Sequence, residues 1–159
     1  MIAANEKLLH KVVHTYCFHP EDQRDLMQDI VAALWQAFPR FDGERRFSTW
    51  MYRIALNVAI SRTRREVRHR RHWQPMPDGV DDVPDGDAAD PERDEQIRML
   101  HGFIATLDPL NRALLLLYLE ESSSREIAEI LGISESNVTT RIHRLKQRVR
   151  DHIDPQEKD

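Results

Sequence analysis

Apolar side chains recur at every third or fourth position along most of the chain, which is the spacing of a buried helix face. A clear example is the four-residue repeat of Leu26, Ile30, Leu34 and Phe38. We find no run of alternating apolar and polar residues of the kind that predicts a strand. The pattern therefore predicts an all-α fold.

Residues that begin or end helices mark the boundaries of the predicted elements. The pattern predicts helices over residues 6–18, 20–38, 49–72 and 92–107, a helix that starts at Pro109, and two shorter helices between residues 123 and 150. Ser48 and Asp108 are placed to cap the third and the fifth of these helices. Residues 39–47 are predicted to form a loop with a turn at Asp42 and Gly43.

The last two helices have the sequence features of a helix-turn-helix. Ser123 with Glu126 fits a capping box, Gly132 permits the turn between the helices, and Ser134 can cap the second helix. That helix carries an apolar stripe that must face a core, namely Val138, Ile142, Leu145 and Val149. Five Lys or Arg and no acidic residue lie between residues 137 and 150. These features predict that the second helix enters a DNA major groove. The alternative is a helical hairpin with a solvated basic face.

Composition and charge exclude several classes of protein, among them disulfide-linked, membrane-spanning and exported proteins. The 159 residues allow one domain or two small ones, and a single cysteine excludes an internal disulfide. No apolar run is long enough to predict a membrane span, and the amino terminus lacks the hydrophobic core of a signal peptide, so we expect a cytoplasmic protein. The formal charge of −4 hides segregation into +5 over residues 1–73, −8 over residues 74–96 and −1 over residues 97–159.

A segment rich in Pro, Gly and Asp separates the two helical parts of the chain. Such a composition cannot bury enough apolar surface to fold, and the repulsion between its carboxylates extends it. We therefore predict two small helical domains, at residues 1–73 and 92–153, joined by a flexible acidic linker at residues 74–91. A basic first half and a basic final helix suit a protein that contacts nucleic acid at two separated places.

A polar stripe runs along the otherwise apolar helix 49–72. Its members follow one another at steps of four, four and three residues, namely Arg53, Asn57, Ser61 and Arg64. Six Arg and two His lie in residues 62–72 against a single Glu66. A cationic segment of this kind releases counterions when it neutralises phosphates, so it predicts salt-dependent binding of nucleic acid. The alternative is a solvated helix end.

Two further stretches of the first domain allow more than one interpretation. The loop 39–47 mixes aromatic and basic side chains, which suits stacking on an unpaired base and holding its phosphate; alternatively, its two Phe side chains pack into the core. The helix 20–38 presents a polar face of Asp25, Gln28, Asp29 and Gln36. That face is either solvated or a docking surface for a protein partner.

His10, His14, Cys17 and His19 fall at spacings that could gather zinc ligands on one helix face. No second pair of ligands follows in the sequence, and a lone cysteine in an apolar helix is more often a small buried hydrophobe. We therefore expect no metal and no cofactor.

The order and spacing of three segments resemble a known family. They are DLMQDIVAALWQAF, then FDGERRFSTWMYRIALNVAISRTRR, then, after the linker, LDPLNRALLLLYLEESSSREIAEILGISESNVTTRIHRLKQRVR. Together they are similar to the small two-domain sigma factors of the sigma-70 class, the extracytoplasmic-function group. The resemblance implies a protein that is not an enzyme and that directs core RNA polymerase to promoters and promotes DNA opening. The partners it implies are promoter DNA, the β′ clamp coiled coil and the β subunit of the polymerase, and an anti-sigma factor, with no small-molecule substrate and no membrane insertion.

The resemblance also implies roles for individual residues. Recognition and melting of the −10 element would fall to Phe41, Arg53, Asn57, Ser61, Arg64 and Arg65. Reading of the −35 element as duplex DNA would fall to Ser134, Ser136, Asn137, Thr140, Arg141, Arg144, Lys146 and Arg148. Docking on the clamp coiled coil would fall to Asp25, Gln28, Asp29 and Trp35. The acidic linker would correspond to the segment threaded through the polymerase near its active centre.

The match departs from the family in one respect, because the helical segment before Glu6 is shorter than usual.

Two other classes of function remain open from the residues alone. One is a helix-turn-helix regulator that acts without polymerase, for which the stripe from Arg53 to Arg64 has no purpose. The other is a metal-responsive or catalytic protein built on His10, His14 and Cys17, although the chain offers no paired carboxylates, nucleophile motif or phosphate loop.

Overall fold

Seven α-helices account for most of the computed structural model, which describes residues 2–72 and 91–154. They are α1 (Glu6–Tyr16), α2 (Pro20–Ala37), α3 (Phe47–His72), α4 (Pro91–Thr106), α5 (Pro109–Leu119), α6 (Ser124–Leu131) and α7 (Glu135–Ile153). Short 3-10 helices cover Ala3–Asn5 and Phe38–Arg40. The described ranges contain no strand, so the prediction of an all-α fold is confirmed. The predicted linker at 74–91 lies, apart from Pro91, outside the described residues.

The start of α3 differs from the prediction that Ser48 caps this helix. The amide of Trp50 already donates to the carbonyl of Arg46 at 3.1 Å, so the helical hydrogen bonds begin two residues earlier. Ser48 therefore lies within the first turn, and its prediction as the N-cap was wrong. Helix α2 ends one residue before the predicted Phe38, where the chain tightens into the 3-10 helix that contains Pro39.

Buried apolar side chains from all seven α-helices form one cluster that continues across both halves of the chain, with Phe103 as the buried member from α4. Helix α5 lies at its centre, with every residue from Ala113 to Leu117 buried. Helices α1 and α3 contact α5, and α3 also contacts α6. The halves on either side of the undescribed segment therefore pack directly against each other.

The capping predicted for the helix-turn-helix is confirmed. The Ser123 hydroxyl accepts from the Glu126 amide, and the Glu126 carboxylate accepts from the Ser123 amide, each at 3.1 Å. Gly132 ends α6 in the left-handed region at φ 68°. Ser134 then caps α7 by accepting from the Asn137 amide at 3.1 Å. Because these bonds satisfy amides at both helix starts, they fix where α6 ends and where α7 begins.

We expect Gly132→Ala to lower the free energy of unfolding by about 1 kcal/mol, because a Cβ disfavours the left-handed backbone at this position. Gly102→Ala is the matched control. It lies inside α4 with no atom within 4 Å of the added Cβ, so it should raise the free energy of unfolding by about 0.5 to 1 kcal/mol. Urea unfolding followed by circular dichroism measures both, and equal effects would contradict the left-handed turn.

Candidate nucleic-acid interface

One face of α7 is polar and cationic because its opposite face is used for packing. Val138 and Leu145 are buried against the neighbouring helices, and Ile142 and Val149 are partly buried beside them. The other face carries Asn137, Thr140, Arg141, Arg144 and Arg148. The Nε of Arg141 donates to Oδ1 of Asn137 at 3.0 Å, which restrains both side chains on this face. Arg144 and Arg148 are exposed and have room to reach a groove.

The amino-terminal end of α7 presents small hydroxyl side chains beside this face. The hydroxyl oxygens of Ser134 and Ser136 lie 3.3 Å apart. The amides that Ser134 does not cap and the positive end of the helix dipole at such a terminus favour an anion, for example a phosphate of DNA. Ser134 and Ser136 therefore lie at the start of the helix that carries Arg141, Arg144 and Arg148.

Lys146 lies apart from the other predicted residues of α7. Its Nζ lies 4.8 Å from the ring centroid of Tyr118 on α5, and the side chain is exposed. The separation follows from helix geometry, because a step of five residues from Arg141 turns the side chain by about 500°, which is nearly opposite. Lys146 therefore does not join the exposed face of α7 that carries Arg141 and Arg144.

A second exposed polar surface runs along α3. Its buried side includes Met51, Ala55, Leu56 and Ala59, which are at most 1% exposed. The predicted stripe lies on the other side, where Arg53, Asn57, Ser61 and Arg64 are exposed, as is the neighbouring Arg65. The structure therefore brings these five side chains together along one helix, and the surface is available to a partner.

Arg62 differs from its neighbours because it lies between α3 and α2. Its guanidinium contacts Asp29 at 3.1 Å, Asp25 at 4.0 Å and Glu66 at 3.1 Å. Burial by itself lowers the pKa of Arg62. The hydrogen bond to Glu66 and the nearby carboxylates together raise this pKa by more than burial lowers it, so the net shift is upward. The sequence prediction counted Arg62 among the cations for nucleic acid; the four-residue spacing to Glu66 was the signal for an internal ion pair.

The loop before α3 is held by a local turn and an aromatic cluster. Oδ1 of Asp42 accepts from the Glu44 amide at 3.0 Å, and Gly43 adopts φ 75°. The ring of Phe41 lies 5.4 Å from that of Phe47 and 5.1 Å from that of Trp50. Phe41 is partly buried in this cluster, as expected for the alternative in which the Phe side chains of the loop pack into the core. Part of its ring nevertheless remains accessible.

The polar face of α2 is exposed over its whole length. Asp25, Gln28 and Asp29 are exposed, and Trp35 lies on the same side of the helix with 65% of its surface accessible. Tryptophan side chains are on average highly buried in folded proteins, and at an interface they contribute most to the binding energy when the partner covers them. The exposure of Trp35 is therefore typical of a docking surface. The face combines this ring with the two carboxylates that share Arg62.

The predicted zinc alternative finds little support in the geometry around α1. The rings of His10 and His14 lie 6.1 Å apart, and burial raises the pKa of the Cys17 thiol to about 11. The thiolate is the form that binds metal, so this shift disfavours Cys17 as a ligand. Within residues 2–72 and 91–154, no three His, Cys, Asp or Glu side chains converge as metal ligands would.

Comparison with known proteins adds to this geometry. Residues 1–69 match the family model of sigma-70 region 2, and residues 97–149 match that of sigma-70 region 4. The ECF RNA polymerase sigma factor SigW of Bacillus subtilis is 30% identical over 145 residues, which cover 83% of this chain and 75% of SigW. The chain belongs to the sigma-70 family, in its ECF group. It is an RNA polymerase sigma factor for promoter-specific transcription initiation.

Other relatives agree with this assignment. The ECF sigma factor SigG of Mycobacterium tuberculosis is 31% identical over 174 residues, a match that covers 93% of this chain and 45% of SigG. Two solved structures share its fold. RpoE of Bartonella quintana, in complex with the anti-sigma factor NepR, has a TM-score of 0.75 at 16% identity and covers 96% of this chain and 93% of that one. CnrH, in complex with the cytosolic domain of CnrY, has a TM-score of 0.67 at 23% identity, covering 98% and 86%.

The family assignment agrees with two further observations. Sigma factors as a class are DNA-binding regulators, which suits a site made of exposed cations and amides. Among the described helices of this sigma factor, none is both long and apolar enough to cross a bilayer.

Proposed function

We propose that this sigma factor reads the −35 element with α7 and the −10 element with α3 and the loop before it. Together with core polymerase, it would then promote opening of the promoter DNA. The observation that carries this proposal is the presence of two exposed cationic surfaces on different helices, each fixed by a buried face of its own helix. The division into a domain at 1–73, a linker at 74–91 and a domain at 92–153 is part of the same proposal.

At the −35 element, α7 would lie in the major groove. Arg144 and Arg141 are the side chains placed to donate bidentate hydrogen bonds to guanine O6 and N7, the commonest specific contact in this groove. Ser134, Ser136 and the amides at the start of α7 would hold a backbone phosphate and so set the register. Arg148 is suited to a phosphate contact one helical turn further along. Lys146 has no role in this arrangement.

At the −10 element, α3 would contact a strand that has left the duplex. Removing a base from its stack costs a few kcal/mol, which stacking and hydrogen bonds in a protein pocket can offset. Phe41 offers the ring for stacking, and Asn57 offers an amide that can both donate and accept. Arg53, Ser61, Arg64 and Arg65 would hold the phosphates on either side.

The exposed face of α2 is the proposed docking surface for the clamp coiled coil of the β′ subunit. Trp35 would be covered by the partner, while Asp25, Gln28 and Asp29 would make the polar contacts around it. We propose a contact with the β subunit through the second half of the chain. The path of the linker near the active centre lies outside the described residues.

An anti-sigma factor is a further proposed partner. RpoE and CnrH, which share the fold, were solved in complex with NepR and with CnrY respectively. A partner of that kind would compete for the surfaces that polymerase or DNA uses. Copurification of the chain with the products of neighbouring genes would test this.

Run-off transcription tests the proposed function directly. The full chain is mixed with core polymerase and a library of genomic fragments, and the start sites are mapped. We expect initiation at a set of promoters that share two sequence elements, and none with core polymerase alone. A folded chain that binds one duplex sequence tightly without polymerase, and never directs initiation, would instead indicate the polymerase-independent regulator.

A further inference from the structure

The outward face of α7 includes one titratable side chain outside the proposed contacts, His143. The apolar stripe from Val138 to Val149 points in one direction from the helix axis and is covered by the core. At about 100° per residue, His143 and Arg144 lie about 50° to either side of the opposite direction, with Thr140 between them. All three side chains are exposed. His143 therefore faces outwards as directly as Arg144 does.

His143 has no partner within the part of the chain that the structure describes. It makes no hydrogen bond, ion pair or ring contact with residues 2–72 or 91–154. Gln147 lies in the same outward direction but is engaged, because its Nε2 donates to Oδ1 of Asp151 at 3.2 Å. An imidazole without an internal partner keeps both of its ring nitrogens available to a ligand.

The charged side chains near His143 on its own helix are cationic. Arg144 follows it directly, Lys146 lies nearly one turn further along, and no acidic residue falls between residues 137 and 150. Within two turns of His143, α7 therefore offers no carboxylate that could hold an imidazolium.

The helices packed on α7 place their charged residues elsewhere. Helices α5 and α6 contact α7 and contribute to the core that covers its apolar stripe, and Phe103 of α4 contacts α7 at His152, nearer the carboxyl end. The charged residues of α5 and α6 are Arg112, Arg125, Glu126 and Glu129. The two glutamates form ion pairs with the loop before α3, Glu126 with Arg46 at 3.9 Å and Glu129 with Arg45 at 3.2 Å.

A histidine at this position suits the edge of a guanine. In the major groove, guanine offers two acceptors, N7 and O6, and a neutral imidazole can donate to one of them from the nitrogen that carries its proton. An imidazolium can donate from both nitrogens, and its positive charge is attracted by the phosphates. Histidine ordinarily changes its charge between about pH 5 and pH 8. Binding through this side chain should therefore take up a proton and become tighter as the pH falls.

We propose that His143 is a further specificity-determining residue of the −35 surface. It donates to a guanine edge beside the base that Arg144 reads, and protonation of its imidazole strengthens this contact. The inference rests on the proposed function, because it requires α7 to lie in the major groove. Arginine stays protonated over the whole physiological range of pH, so recognition by the arginines alone would not respond to acid. With His143 in the contact, upstream recognition depends on pH.

Selection from a promoter library tests whether His143 reads a base. The full chain is combined with core polymerase and with promoter fragments randomised over the upstream element, and the bound fragments are sequenced. We expect His143→Ala to lower the preference for guanine at one base pair about fivefold or more, with the other positions changed less than about twofold. His10→Ala removes an exposed histidine of α1 and should leave every position unchanged. An unaltered preference in His143→Ala, or a loss spread evenly over all positions, would overturn the base contact.

The pH dependence of affinity for the selected promoter tests the role of the proton. Between about pH 8 and pH 6, the affinity of the wild-type complex should rise about threefold more than that of His143→Gln. Glutamine keeps a donor for guanine but has no titratable group, so this variant should retain part of the base preference. His10→Gln should follow the wild-type profile. Identical profiles for wild type and His143→Gln would overturn the linkage to a proton.

Failure of this role and failure of the proposed function give different results. If the wild-type complex shows no base preference upstream, or if Arg144→Glu leaves the upstream footprint intact, then the placement of α7 in the groove is wrong. If wild type and Arg144→Glu behave as expected while His143→Ala keeps the full preference, only the role of His143 is wrong. Because His143 is exposed, the melting temperature of its variants should stay within a few degrees of wild type.

Discussion

Replacing Arg141 and Arg144 together with glutamate should reduce initiation at promoters that depend on the −35 element by about a hundredfold or more. Each bidentate contact between arginine and guanine contributes about 1 to 3 kcal/mol of discrimination, and reversed charges add repulsion from the phosphates. Arg144 is exposed and Arg141 is half-buried, but neither belongs to the apolar stripe of α7, so the fold should persist. Run-off transcription and a footprint of the upstream element measure the loss.

A matched pair of single substitutions separates position from charge. Arg144→Glu and Lys146→Glu make the same change in charge two residues apart on α7, but Lys146 lies over the Tyr118 ring on the other side of the helix. We expect Arg144→Glu to weaken the upstream footprint about tenfold or more, and Lys146→Glu to weaken it less than about threefold. Similar losses would mean that the contact is general electrostatics and not groove reading by one face.

Trp35→Ala should weaken binding of core polymerase by about 2 kcal/mol or more, which is about thirtyfold. Tryptophan at the centre of an interface loses a large desolvated area when it is truncated, whereas in the free protein its ring is 65% exposed and supports little of the core. Titration of a fluorescent derivative of the chain with core polymerase gives the affinity. The melting temperature of the free variant should stay within a few degrees of wild type.

Val67→Ala provides the comparison for Trp35→Ala. Val67 is also exposed and apolar, at 44%, but it lies near the end of α3 and outside the α2 face. Its substitution should leave polymerase affinity within about twofold. A loss as large as that of Trp35→Ala would indicate a docking surface other than the polar face of α2.

Features set by neighbouring residues could be predicted from the sequence. The capping box of Ser123 with Glu126, the turn at Gly132 and the cap at Asp108 depend only on residues within a few positions, and all three are confirmed. The buried stripe of α7 was predictable for the same reason, because an apolar face at helical spacing must be covered. By exclusion, that stripe also placed Arg141, Arg144 and Arg148 on the opposite face.

Features set by distant residues could not be predicted in the same way. An apolar stripe shows that a face is covered but not which helix covers it, so the packing of α5 and α6 on the first half has no signal in either segment. The pairing of Arg45 with Glu129 joins residues far apart in the sequence. Ser48 is not the cap because the helical hydrogen bonds already begin at the Arg46 carbonyl, where the ring of Phe47 also stacks on that of Trp50. The resemblance assigns Lys146 to the same surface as Arg144, but a step of two residues along a helix turns the side chain by about 200°.

The contacts of Arg62 bear on how this sigma factor should respond to ionic strength. By bridging Asp25, Asp29 and Glu66, this arginine offsets one unit of the negative charge that the carboxylates bring to the docking face of α2. We expect burial of the Trp35 ring to supply the larger share of the attraction, and hydrophobic association does not weaken as ions are added. Loading onto polymerase should therefore persist at salt concentrations that already release the arginine surfaces from DNA, so that washing a promoter complex with salt frees the DNA before it frees the protein.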